Sequence, residues 1–171
     1  MKTLVSVLIL ITLISACVKN KKTDTEIFKM EANCLTLKEE IQKQFDNKDY
    51  PVTIALFKTV EECYNDPIAY YMRLGYLYQL NNQGLQAREY FIKAITLIEN
   101  NQVLSDNERS LALVTLYLML NKKAIAKKEI KRINKNALSR VQQKELKGLE
   151  EMANIGEFIS VSYKIEMHLF E

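Results

Sequence analysis

This chain repeats itself, and that limits its folds more than any other feature. Between Tyr71 and Ala94 it reads Tyr71-x2-Leu74-Gly75-x2-Tyr78 and then Ala87-x3-Phe91-x2-Ala94. Moving back 34 residues places Phe57 under Phe91 and Val60 under Ala94, with Leu37 and Ile41 under Tyr71 and Gly75. Moving forward, Leu77, Tyr78, Leu80, Ala87 and Phe91 correspond to Leu116, Tyr117, Met119, Ala126 and Ile130, every one offset by 39. A constant offset means a single insertion, so five extra residues lie between repeats, and Asn101 to Asp106 is the polar segment able to hold them. Each copy of such a unit is too small to bury its apolar face alone, so copies stack, and three is the usual minimum.

The punctuation of the sequence points to helices. With four Gly and two Pro in 171 residues, the chain lacks the turn residues that a sandwich or barrel needs every 8 to 12 positions. Asp66-Pro67 places a capping residue before a Pro at the first helical position, Asn81-Asn82-Gln83-Gly84 reads as a turn, and Ser105-x2-Glu108 reads as a capping box. Ser139-x2-Gln142 is a second capping box. It opens a helix through about Ala153, whose Val141, Leu146, Leu149 and Met152 would cover the last repeat, as a stack of repeats requires. After Gly156, Ile159, Val161, Tyr163, Ile165, Met167 and Leu169 alternate with polar residues, a period of two that fits a strand. No second strand is evident to pair with it, so two readings stand: an edge open to another chain and to oligomer formation, or an irregular or helical cap.

The residues quoted from Tyr71 to Ala94 resemble the tetratricopeptide repeat, with Tyr in place of the usual Trp and Glu99 in place of the closing Pro. The resemblance implies an all-α solenoid of about three helical hairpins over 34–138, with a C-terminal cap over 139–171. Gly75, Ala87 and Ala94 would let paired helices approach closely. It also implies a concave surface lined by the first helix of each repeat, which binds proteins or peptides. Carried over position by position, that groove is Lys38, Gln42 and Phe45, then Met72, Tyr76 and Gln79, then Leu111, Thr115 and Leu118. It lacks the Lys/Asn cluster with which some family members clamp a C-terminal carboxylate.

The N-terminus suggests export. Lys2 precedes an apolar stretch from Leu4 to Ile14, followed by Ser15-Ala16-Cys17. The stretch is short for a membrane span and reads as a signal peptide over 1–16. Ile14-Ser15-Ala16-Cys17 resembles the lipobox of bacterial lipoproteins, which implies lipidation of Cys17, a tether over 17–33 and a place in the cell envelope. Val18 is not the aspartate that retains some lipoproteins at the inner membrane, which tilts the expectation to an outer membrane, facing the periplasm. Lipidation of Cys17 leaves Cys34 and Cys63 as an even pair in an oxidising compartment. By the repeat register, Cys34 begins the first helix of repeat one and Cys63 lies near the end of its second, so a disulfide is expected. Two independent buried thiols are the alternative.

No chemistry stands out. The single histidine, His168, lies in the terminal stretch without catalytic company, and the phosphate-cradling and zinc-protease motifs are absent from the sequence. Three Cys and one His make a structural metal site hard to assemble, and no cofactor is expected. The net charge of +3 is far from the basic excess of a nucleic-acid binder. One run departs from that balance: Lys122, Lys123, Lys127, Lys128, Lys131, Arg132 and Lys135 surround the single acid Glu129. It reads as a solvated outer face or as a surface for anionic head groups or an acidic partner. The two resemblances together imply a non-enzymatic, lipid-anchored envelope scaffold. The alternatives are a dedicated binder of one cognate protein, of immunity type, and an enzyme with a dispersed site.

Overall fold

The structure is a computed structural model that describes residues 24–154. Cys17, with the signal and lipidation motif, and the alternating segment after Gly156 lie outside the described residues. The chain divides into two compact units, Met1–Thr36 and Leu37–Glu171. The described part of the first is helical throughout. Seven α-helices follow in order: α1 (Asp24–Asp46), α2 (Tyr50–Phe57), α3 (Pro67–Leu80), α4 (Gly84–Asn100), α5 (Asp106–Met119), α6 (Lys123–Ile130) and α7 (Arg140–Asn154). Two 3₁₀ segments, Lys58–Cys63 and Lys135–Ala137, complete the described structure, which is all-α. α1 starts upstream of Cys34, where the sequence period begins repeat one; residues 24 to 33 hold no Gly or Pro to interrupt it.

Helix starts follow the capping chemistry. Asp49 accepts from Val52 N at 3.2 Å and Asp66 from Ile68 N at 2.9 Å, each with a Pro in the first turn. At α5 both halves of the capping box form: Glu108 N donates to Ser105 Oγ at 3.3 Å and Ser105 N donates to Glu108 Oε2 at 2.9 Å. Ser139 and Gln142 repeat this at α7, with Ser139 N donating to Gln142 Oε1 at 3.0 Å and Gln142 N to Ser139 Oγ at 3.3 Å.

The helix ends carry the sequence period into the backbone. Lys48, Asn82 and Asn121, spaced by the same 34 and 39 residues, are the described non-glycine residues with positive φ, at 61°, 57° and 56°. Each closes a helix with the same bond pair. Gln83 N donates to Tyr78 O at 2.9 Å and Asn82 N to Gln79 O at 3.1 Å. The corresponding bonds are Asp49 N to Gln44 O and Lys48 N to Phe45 O, then Lys122 N to Tyr117 O and Asn121 N to Leu118 O. This is the Schellman arrangement, in which a left-handed residue satisfies the orphan carbonyls of the last turn. α1–α2, α3–α4 and α5–α6 are thus three hairpins with one turn.

The hairpins are unequal behind that turn. α4 runs 17 residues, while α2 and α6 run 8 each. α2 passes into the 3₁₀ segment, which is kinked at Val60 (φ −108°, ψ 19°), and α6 stops at Ile130. In α3–α4 the small residues sit where close approach is needed. A Cβ on Gly75 would stand 2.6 Å from the Phe91 ring and 3.2 Å from Ala87 O, and Ala87 and Ala94 are buried.

The core falls into three successive clusters. Ile41, Ile54, Phe57 and Val60 pack with Tyr70, Leu74 and Leu77 of α3. Ala87, Phe91, Ala94, Ile95 and Ile98 of α4 pack with Leu113 and Leu116 of α5. Leu111, Val114 and Leu118 on another face of α5 pack with Ala126, Ile133, Leu138 and α7 residues Leu146, Leu149 and Ala153. α5 is thus apolar on two faces, one for the preceding hairpin and one for the cap.

Candidate functional site

The nine expected groove residues do not line one surface. Leu111 and Leu118 are 4% and 3% exposed and belong to the core beneath α7. Their assignment to a groove is corrected, because 111, 114 and 118 form one helical stripe and the capping helix buries that stripe. Met72 is half-buried against the cluster joining α4 and α5. Lys38 is half-buried, with its ammonium 5.9 Å from the centre of the Tyr64 ring.

Like Lys38 and Met72, the other five are half-buried. Gln42 donates to Asp46 Oδ1 at 2.9 Å, and Thr115 donates to Leu111 O at 3.1 Å. Phe45 packs against Tyr50 with ring centres 6.1 Å apart. Burial raises the Tyr76 phenol above its usual range, and Tyr50 adds to the effect. Gln79 Oε1 is buried and accepts no hydrogen bond from the described residues. Lys38, Gln42 and Phe45, then Met72, Tyr76 and Gln79, remain of the expected groove in the first two hairpins, and Thr115 remains in the third.

An aromatic series accompanies them that the sequence reading did not assemble. Phe57 stacks on Tyr70 at 5.3 Å, Tyr70 meets Tyr71 edge-on at 5.3 Å, Tyr71 lies 6.2 Å from Tyr90, and Tyr90 stacks on Tyr78 at 5.3 Å. Lys93 sits 4.7 Å from the Tyr90 ring centre and bonds Glu89 at 2.9 Å. Tyr71 donates its hydroxyl proton to Glu61 Oε1 at 3.0 Å, and that bond raises its phenol. Burial pushes Tyr64 up to about 12, against the opposing pull of Arg73. Tyr71 and Tyr78 stand in the repeat motif, seven apart on α3. Tyr90 was hidden because it stands beside Phe91 and outside the repeat motif.

Two charged features stand out. Lys123, Lys127, Lys131 and Lys135, four residues apart in sequence, do not form one helical stripe: the chain leaves α6 after Ile130, and Lys135 pairs with Glu150 of α7 at 2.7 Å. That pair lines an open cavity of about 340 Å³ with Leu138, Gln143 and Leu146, apart from the groove residues. Glu129 points inward. It is 7% exposed, accepts from Ser110 Oγ at 2.7 Å and pairs with Arg132 at 2.9 Å.

Cys34 and Cys63 are both disulfide-bonded. Among the described residues no group of three His, Cys, Asp or Glu is placed to hold a metal, and no helix is long and apolar enough to cross a membrane. No protein-family model, curated protein or solved structure matches the chain.

Proposed function

We propose that the protein is a lipid-anchored scaffold of the bacterial envelope, facing the periplasm, which holds another envelope protein or peptide through a tetratricopeptide-like groove and does no chemistry itself. One observation carries the groove reading: the same left-handed turn closes three helical hairpins at the sequence period. Repeated hairpins with one turn present their first helices in register, which is what a groove lined by α1, α3 and α5 requires. The anchor rests on the resemblance of Ile14-Ser15-Ala16-Cys17 to a lipobox.

The partner-binding part narrows to Lys38, Gln42, Phe45, Met72, Tyr76, Gln79 and Thr115. Partly covered aromatic rings suit a segment that offers apolar side chains. A photo-crosslinking residue at position 76, compared with one at the exposed Arg88, tests the groove in intact envelopes. Crosslinks to a discrete envelope protein from 76 and none from 88 are expected. Identical crosslinks from both would remove the groove. Labelling with a radioactive fatty acid tests the anchor separately, and label retained after Cys17→Ser would remove it.

A further inference from the structure

The lysine run yields more in three dimensions than it did in sequence. Its seven cations and one acid carry +6 of a chain whose net charge is +3, so the remaining residues sum to −3. The burial pattern sets the direction in which that charge points. Ala126 and Glu129 are buried in α6. At 100° per residue, Lys127 and Lys128, with Lys131 in the continuing helical turn at the C-cap, fall on the opposite half, and all three are exposed. The one acid of the run is turned away and satisfied by Ser110 and Arg132. Every charged residue on the outward half of α6 is therefore a cation, and the exposed Ala124 lies among them. Ile125, 43% exposed, lies beside those lysines.

We propose that this face of α6 docks on the anionic phospholipid headgroups of a bilayer. The residue types select that occupant. Protein interfaces favour Arg and deplete Lys, and the Arg of this run is engaged by Glu129. Single-stranded nucleic acid is held by aromatic platforms beside the cations, and α6 contains no aromatic residue. Lysines are point charges that need no fixed geometry, suited to a fluid array of headgroups, and a neighbouring isoleucine can enter the interfacial zone. The attachment is non-covalent and does not depend on acylation of Cys17 or on the groove.

Vesicle sedimentation of the full chain carrying Cys17→Ser tests it. Vesicles of phosphatidylcholine are compared with vesicles of phosphatidylcholine and phosphatidylglycerol in equal parts. The preference for the anionic vesicles should fall on the order of a hundredfold in the triple variant Lys127→Gln, Lys128→Gln, Lys131→Gln. It should fall far less in Lys43→Gln, Lys58→Gln, Arg88→Gln, which removes the same charge at exposed positions elsewhere. Both triples should keep the parent's helical circular dichroism. Equal losses in the two triples would reduce the effect to net charge and overturn the proposal. A parent that shows no preference would overturn it too. So would soluble polyglutamate bound through these lysines when the vesicles are not, which would assign the face to an acidic protein.

Discussion

Gly75 and Gly84 lie nine residues apart in one hairpin and should respond to the same substitution with opposite signs. At Gly84, the first residue of α4, an added Cβ meets nothing within 4 Å. Gly84→Ala therefore stabilises by about 0.5–1 kcal/mol, mainly by restricting the unfolded chain. At Gly75 the same methyl would stand 2.6 Å from Phe91, a ring only 1% exposed and locked by its neighbours. Overpacking of this kind costs about 1–3 kcal/mol, which outweighs the gain in helix propensity of about 1 kcal/mol. Thermal melts should move up for Gly84→Ala and down for Gly75→Ala. A Gly75→Ala protein as stable as the parent would mean that the two helices are farther apart than described. Gly75, Ala87 and Ala94 were expected at a close approach because they match the small positions of the tetratricopeptide pattern they resemble. Glu129 was not legible: a lone acid in a basic run looks like a surface residue until Ser110, 19 positions earlier, is brought to 2.7 Å from it.

Elements were read best where a side chain bonds its own backbone neighbours. The caps at Asp66, Ser105 and Ser139 and the turn at Asn81 to Gly84 are local geometry, and they stand where the sequence put them. Asn101 to Ser105 joins α4 to α5, where the extra residues of the longer offset were expected. What lies beyond each repeat's turn was less legible, because the ends of α2 and α6 are set by tertiary packing and carry no Gly or Pro as markers. The shared turn itself gives a test. A left-handed conformation costs a side chain with a Cβ about 1–2 kcal/mol, and Asn bears it better than Lys. Lys48→Gly should therefore raise the denaturant midpoint by the equivalent of about 1 kcal/mol, with a smaller gain for Asn82→Gly. A loss at Lys48 would show that φ of 61° is not the conformation of this turn in solution.

At the scale of the whole molecule, apolar periodicity told less than it did within elements, because α5 must satisfy two neighbours at once. Leu111 and Leu118 carry the groove register and the inter-helix register on one helix, and only the presence of α7 decides that they are core. The cysteines act at this scale as well. Cys34 and Cys63 are both disulfide-bonded, and a bridge joining them would close a loop of about 29 residues, contributing about 3–4 kcal/mol by restricting the unfolded chain. That contribution would support the first hairpin, whose second helix is the one that breaks into a kinked 3₁₀ segment. Unfolded, unreduced protein should therefore show no reactive thiol at either position, and reduction should lower the melting temperature by several degrees without changing the helical content of the native state. Two reactive thiols at Cys34 and Cys63 before reduction would sink the bridge. The first hairpin would then rest on Ile41, Ile54, Phe57 and Val60 alone, and Phe57→Ala, which empties a fully buried position, should unfold it at a lower temperature than an intact bridge would allow.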